Sequence, residues 1–142
     1  MISSGFLSPV SSDIYCFHFE YNIPSNLYSS GVLSISGNDD WEIQGWPGNG
    51  TDANPYLVED LVLTEFRIYD SDVFFIVQNC MWSVSTVLVN VENGTIRDCI
   101  FNYIGLYQCN KLTLSNLSAQ DLGGYDSCII AEDSENLVVD GC

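Results

Sequence analysis

Residues 75–80 read FIVQNC, a short apolar stretch that ends on a polar residue and then a cysteine. Four further stretches of the chain share this design. The five repeat segments are YLVEDL (56–61), FIVQNC (75–80), GTIRDC (94–99), LTLSNL (112–117) and LVVDGC (137–142). Their last residues, the corner residues, follow one another at intervals of 19, 19, 18 and 25 positions and are Leu61, Cys80, Cys99, Leu117 and Cys142. Such repetition is typical of solenoid proteins, in which each repeat buries its apolar face against its neighbours.

Side chains in and after each repeat segment alternate between apolar and polar with period two, which indicates strands rather than a helix. Val, Ile, Thr, Tyr and Phe dominate these stretches, as in strands. We expect inward side chains five and three residues before each corner, and two and seven after it. In the second repeat these are Phe75, Val77, Trp82 and Val87, and Ile130 takes the last of these places after the 25-residue interval. The sequence therefore predicts an all-β solenoid with about three short strands per coil.

A leucine-rich repeat is the structural alternative, because its period of about 20 to 29 residues and its L-x-L strand resemble LTLSNL. Its helical return segment needs more room than the coil of 18 residues between Cys99 and Leu117 offers. We therefore favour the β-solenoid.

The residue before each corner is of a type that accepts the left-handed backbone conformation of a sharp bend. The five are Asp60, Asn79, Asp98, Asn116 and Gly141. We predict that they are turn residues, and that stacked Asn and Asp side chains hydrogen-bond to one another along the solenoid. The same reasoning predicts bends at residues 70–72, 109–111 and 133–136.

The charge of the chain is strongly negative, with a formal value of −16 from 19 carboxylates and only three cations, Arg67, Arg97 and Lys111. We interpret this acidity as solvation rather than as an acidic binding patch. Nucleic acid and anionic membrane are poor partners for such a chain, because binding them depends on Lys and Arg replacing phosphate counterions, and we expect no nucleic-acid partner. No stretch of 18 apolar residues occurs, so the sequence predicts no membrane insertion in this segment.

Residues 1–30 lack the repeat and form a predicted lead-in, whereas residues 31–142 form the predicted repeat domain. The alternating stretch DIYCFHFEYNI (13–23) is expected to be a strand that caps the N-terminal end of the solenoid. GVLSISGN (31–38) is predicted to be an edge strand, followed by a turn-rich connection at residues 39–56. No signal peptide is visible at the N-terminus.

The last repeat segment stops at its corner residue, without the polar capping element that solenoid termini need. We therefore expect a C-terminally truncated fragment of a longer protein. Open strand edges at that end also predict end-to-end self-association.

Cysteines occur at six positions, and Cys80, Cys99 and Cys142 share the corner. Free cysteine behaves as a small buried hydrophobe, so we favour a stack of inward thiols over disulfides. Cys80 and Cys99 would nonetheless lie within disulfide reach on strands about 4.8 Å apart. With no CxxC pair and His18 as the one histidine, we expect no zinc or copper site and no cofactor.

The recurring I-x-N-C/L corner and S-x-N bend resemble the right-handed parallel β-helix proteins grouped as the NosD-like, or carbohydrate-binding and sugar-hydrolase, repeat family. The stretch GWPGNGTDANPYLVE (45–59) is similar to one that opens such β-helices in many archaeal surface-associated proteins. The resemblance covers about residues 31–142 and implies a right-handed parallel β-helix of about four to five coils. It also implies an extracellular or cell-surface location and a role in binding or cleaving glycans.

Two tryptophans, Trp41 and Trp46, precede the first repeat segment. One interpretation has them stack on sugars. We favour end-capping, in which Trp46 and Tyr56 cover the first coil while Pro47 and the neighbouring glycines form sharp turns.

The 25-residue interval is the one irregular feature of the repeat, and insertions in solenoids map to loops on one face, often the binding face. Within and beside it, tyrosines could stack a sugar ring and carboxylates could accept hydrogen bonds from its hydroxyls. The predicted ligand-binding residues are Tyr103, Tyr107, Asp121, Tyr125 and Asp126. The alternative is a tolerated surface loop with ordinary exposed tyrosines.

We expect a non-catalytic binding or scaffold module of a larger surface protein, with a glycan or a protein as partner. A polysaccharide hydrolase or lyase is one alternative. Hydrolysis needs two carboxylates roughly 5 to 9.5 Å apart. Pairs such as Asp60 and Asp98 are better explained as turn residues, and no catalytic residue is identified. A rigid structural spacer is the other alternative.

Overall fold

The computed structural model describes residues 5–7, 10–17, 31–119 and 127–141. Most of these residues form strands, as predicted, and there is one short helix. The elements are β1 (Gly5–Leu7), β2 (Val10–Phe17), β3 (Val32–Ser36), α1 (Asn38–Ile43), β4 (Tyr56–Glu59), β5 (Val62–Ser71), β6 (Phe75–Gln78), β7 (Met81–Val91), β8 (Gly94–Arg97), β9 (Ile100–Phe101), β10 (Tyr103–Tyr107), β11 (Thr113–Ser115), β12 (Ser118–Ala119), β13 (Ser127–Ser134) and β14 (Leu137–Asp140).

The first sheet contains one strand from each repeat segment, in the order β1-β14-β11-β8-β6-β4. All of its strands are parallel except β1, which pairs antiparallel with β14. The predicted alignment of the repeats is confirmed here, because the residues three before each corner lie in register. They form one buried row across the sheet, Val58, Val77, Ile96, Leu114 and Val139.

The second sheet is formed by the strands that follow each corner, in the order β12-β9-β7-β10-β13-β2, and β5 joins β3 to β7. Its strands are parallel except for β2, which is antiparallel to β13. Its inward side also carries a buried row in register, Ile35, Ile68, Leu88, Leu106 and Ala131. The side chains of the two rows belong to one hydrophobic core.

The prediction of inward side chains is wrong at two positions, Val87 and Ile130. Both are partly exposed, and the neighbouring Leu88 and Ala131 are buried instead. For Ile130, the 25-residue interval hid the register, since Leu106 pairs with Ala131 and not with Ile130. For Val87, the pairing of β5 with β7 shifts register after Leu63, so that β7 contains one more residue than β5 at this point. Since side chains alternate with period two, a single extra residue moves every later side chain to the opposite face.

The corner bends are confirmed. All five residues before the corners have left-handed φ angles of 59°, 52°, 53°, 50° and 65° for Asp60, Asn79, Asp98, Asn116 and Gly141. A predicted bond between repeats forms at one pair of these residues, where the Asn116 amide donates to the Asp98 carboxylate at 2.6 Å. At the further bend predicted at residues 70–72, the Asn90 amide donates to the Asp70 carboxylate at 2.9 Å. These polar side chains thus form hydrogen bonds with one another where the backbone turns away from the sheet.

The helix α1 was not predicted, because residues 39–56 were expected to be a turn-rich connection. It places Trp41 in the core, fully buried and stacked on Tyr56 and Phe75 with ring centroids 5.4 Å and 5.2 Å away. The indole Nε1 donates a 3.0 Å hydrogen bond to Ser71 Oγ. Trp41 therefore covers the core at the first repeat and is inaccessible to a sugar, whereas Trp46 is partly buried against the core.

The N-terminal strands β1 and β2 pair at the end of the sheets opposite to the end where the sequence placed them. The alternating stretch was expected to cap the first repeat, but β2 pairs with β13 and β1 with β14, the last strands of the chain. The outer edges of β13 and β14, which belong to the strand edges that suggested end-to-end association, are therefore paired. The contact joins distant parts of the sequence, which alternation alone cannot locate.

The described thiols are free and buried, as favoured, and they belong to Cys80, Cys99 and Cys109. A hydrogen bond between the thiols of Cys99 and Cys80, together with burial, raises the pKa of Cys99, and the same bond lowers the pKa of Cys80. Burial raises the pKa of Cys109 to about 11. These side chains act as core residues.

Candidate functional site

Two of the predicted site residues, Tyr103 and Tyr107, meet on the outer side of β10. They are four residues apart on one strand, which separates their Cα atoms by roughly 13 Å. Their hydroxyl oxygens are nevertheless 2.7 Å apart and hydrogen-bonded. Both rings must therefore lean along the strand toward each other, over the residue midway between them.

The residue between them is Gly105, and its lack of a side chain makes this arrangement possible. A Cβ atom there would lie 2.7 Å from Cε2 of Tyr107 and 3.1 Å from Cε1 of Tyr103. The two rings are partly exposed, whereas Gly105 is buried beneath them. The sequence thus provides a pair of aromatic rings that is fixed by packing and by one hydrogen bond.

Apolar side chains surround this pair on the neighbouring strands. Gly105 is in register with Val87 of β7 and with Ile130 of β13, and Tyr107 is in register with Val89. Val89 in turn pairs with Tyr69 of β5. We call this partly exposed surface the tyrosine face, and its residues are Tyr69, Val87, Val89, Tyr103, Tyr107 and Ile130.

Charged groups lie at the edges of the tyrosine face. Arg67, in register with Val87, forms an ion pair with Glu65. The exposed Glu132 is in register with Tyr107. The surface therefore combines an apolar centre with phenol hydroxyls and a polar boundary.

The other predicted site residues, Asp121, Tyr125 and Asp126, lie outside the described residues. The described chain resumes at Ser127, and the next residue, Cys128, is the register partner of Tyr103. The interval between Ala119 and Ser127 thus ends on the strand beside the tyrosine pair.

A second surface site, which the sequence did not predict, is a groove on the outer side of the first sheet. It has a volume of about 300 Å³, and we call it the Arg97 groove; it is lined by Pro47, Gly48, Asn54, Pro55, Leu57, Ile76, Gln78 and Arg97. Its wall is held against β4 by a 2.9 Å hydrogen bond from the Leu57 amide to the Pro47 carbonyl. Gly48 has a φ of 106° and lies so close to Pro55 that a side chain would not fit.

A ladder of polar side chains ends at this groove. Glu59, Gln78 and Arg97 are in register on β4, β6 and β8. Gln78 Nε2 donates to Glu59 Oε2 at 2.9 Å. Nε and Nη2 of Arg97 donate to Gln78 Oε1 at 3.0 Å and 2.8 Å. The in-register recurrence of these polar residues two positions before the corner was the available sequence signal.

No cluster of three or more His, Cys, Asp or Glu side chains suited to a metal ion occurs in the described part of the chain. The Asp60 and Asp98 carboxylates, considered above as an acid and base pair, lie on residues whose left-handed φ angles identify them as bends. Within the same described residues, no helix has the length and apolar character required to cross a membrane.

Comparison of the chain with protein-family models, curated proteins and solved structures finds no match. Functional inference therefore rests on the two surfaces themselves.

Proposed function

We propose that this chain is a non-catalytic binding module that holds neutral glycans on its tyrosine face. The observation that carries the proposal is the Tyr103–Tyr107 pair, with its hydroxyls 2.7 Å apart above Gly105. Aromatic rings offer flat apolar surface to the C–H faces of a sugar, and phenol hydroxyls can bond its hydroxyl groups. A pair that is already fixed loses little conformational entropy on binding.

The proposal includes a finer fold, a right-handed parallel β-helix of the NosD-like type. The in-register parallel strands of both sheets and the left-handed bends at every corner support it. In such a fold each repeat adds one strand to the outer surface, so a ligand can extend over several repeats. Location at the cell surface or outside the cell belongs to the same proposal.

The net charge favours neutral glycans over acidic ones. With a formal charge of −16, the molecule repels polyanions at long range. Contacts to a neutral sugar depend on stacking and hydrogen bonds, which this repulsion leaves unaffected. Binding is accordingly expected to vary little with salt concentration.

The test is a panel of neutral oligosaccharides, screened on an array and then titrated calorimetrically against the full chain. Tyr107→Ala removes one ring and the hydroxyl bond, and we expect a loss of affinity of about tenfold or more, roughly 1.4 kcal/mol. The double variant Tyr103→Phe with Tyr107→Phe keeps both rings and should lose less. Ile43→Ala is the control, because Ile43 is an exposed apolar residue on α1.

The outcomes separate the alternatives. Binding that survives Tyr107→Ala in a folded protein would refute the tyrosine face as the site. Release of reducing sugar or unsaturated product from the panel would favour a hydrolase or lyase. Absence of binding to every glycan would favour the rigid spacer.

A further inference from the structure

We infer that the Arg97 groove is a second binding site, specific for a small monocarboxylate with an apolar body. The groove lies on the first sheet, so this inference is independent of the tyrosine face. It rests on two features of the groove, an apolar floor and a guanidinium at its end.

The floor of the groove consists of Leu57 and Ile76, which lie side by side on β4 and β6. Both are outward residues of their strands and partly exposed. The next two residues in the same row are Thr95 and Thr113. Among the parallel strands, the row ends on the partly exposed Val138, which does not line the groove. Leu57 and Ile76 are therefore two adjacent apolar residues at the groove, and Pro47 and Pro55 add apolar walls.

The guanidinium of Arg97 bonds a neutral amide and not a carboxylate. Its Nε and Nη2 atoms both donate hydrogen bonds to the same oxygen, Oε1 of Gln78. Gln78 lies between Arg97 and Glu59, and it is the Gln78 amide that donates to the Glu59 carboxylate. Arg67, by contrast, does pair with a carboxylate, that of Glu65. The hydrogen bonds of Arg97 at the groove therefore go to an amide oxygen and leave its guanidinium available for a carboxylate ligand.

This arrangement fixes the orientation of the guanidinium while other N–H groups remain for a ligand. Arginine has five donors in a planar fork that matches a carboxylate, and two hydrogen bonds to Gln78 hold this fork in place. A carboxylate on Arg97 would place its apolar body over Leu57 and Ile76. The volume of about 300 Å³ suits a small molecule. The net charge of −16 disfavours ligands with several negative charges.

The test uses octanoate as probe and octanamide as its neutral counterpart, each titrated into the full ¹⁵N-labelled chain and followed by NMR. We expect octanoate to shift the backbone amide signals of Leu57, Ile76, Gln78 and Arg97. Octanamide should bind at least tenfold more weakly, because it cannot form the charged pair with Arg97. Arg97→Gln should weaken octanoate binding to the level of octanamide.

Two further variants show which part of the groove acts. Arg67→Gln removes a cation that is already paired on the other sheet, and it should leave octanoate binding unchanged. Ile76→Thr introduces the residue type found next in the row and should weaken both probes. Equal binding of the two probes, unchanged octanoate binding by a folded Arg97→Gln chain, shifts confined to other residues, or no shift at about 10 mM octanoate would each overturn the inference.

Discussion

The bends of this protein depend on backbone conformation more than on any single side chain. Asp, Asn and Gly occupy the five positions before the corners, and all five have left-handed φ angles. These residue types tolerate that region, which is why the sequence could predict the bends. Gln108 and Lys111 adopt φ angles of 55° and 54° at other bends. Their residue type gives no such signal, so the surrounding pairing must impose the conformation.

Gly94 provides a prediction at the scale of one residue. It begins β8 directly beside Phe75, and an added Cβ atom would lie well inside contact distance of the phenyl ring. We expect Gly94→Ala to lower the free energy of unfolding by about 1–3 kcal/mol through overpacking, as measured by urea denaturation. Phe75→Leu should reduce this cost when the two changes are combined.

Gly37 serves as the matched control for this experiment. It has a φ of 84° and open space around the position of a Cβ atom, so Gly37→Ala produces backbone strain alone. Phe75→Leu should not reduce its cost. An unchanged stability of the Gly94→Ala chain, or equal rescue of both alanine variants, would contradict the steric explanation.

Among the elements, α1 shows most clearly where prediction from sequence ends. Strand alternation predicted most strands, because period two persists over each repeat segment. The six residues of α1 are too few for a helical period to be recognised. Its role comes from a contact with distant residues, since Trp41 lies on Tyr56 and Phe75. The extra residue in β7 was missed for a related reason, because alternation shows a strand but not its register.

Trp41 supports a prediction at the scale of that element. Trp41→Ala removes a fully buried ring that stacks on two others, and we expect the free energy of unfolding to fall by about 3–5 kcal/mol. Trp41→Phe keeps a ring but loses the bond from Nε1 to Ser71 Oγ, which should cost less, about 1 kcal/mol for the bond. Urea denaturation of both variants measures the difference.

The comparison residue is Trp46, which is partly buried against the core and precedes the first repeat segment as Trp41 does. Trp46→Ala should destabilise the protein less than Trp41→Ala. An equal loss for the two alanine variants would show that α1 does not cover the core in the way described.

The two candidate surface sites also differ in how much of them the sequence could indicate. Tyr103 and Tyr107 were selected from the sequence because tyrosines at outward strand positions stand out beside an irregular interval. The structure brings their hydroxyls together, and their role in binding stays a prediction. The Arg97 groove could not be predicted, since its wall comes from residues 47–55 and its floor from two strands. Leu57 and Ile76 look like ordinary strand residues until that loop is placed beside them.

For the whole molecule, the ends of the sheets matter most, because a parallel array has unpaired strands at both ends. The sequence predicted the parallel array and its register row, yet it placed the N-terminal strand beside the first repeat. The structure pairs β1 with β14 and β2 with β13, where antiparallel strands cover the last repeat. Which edge a lead-in strand covers depends on a contact between opposite ends of the chain, and period-two alternation is the same for either edge.

This pairing predicts the consequence of removing residues 1–17. Without β1 and β2, the edges of β14 and β13 would present unpaired N–H and C=O groups, which can pair with a second copy of the chain. We expect the truncated chain to associate with rising concentration in sedimentation velocity experiments, while the full chain does so much less. A chain lacking only residues 1–4 keeps both strands and should sediment as the full chain does. If the chain without residues 1–17 sediments as the full chain does over the same concentrations, β1 and β2 do not protect this end of the molecule.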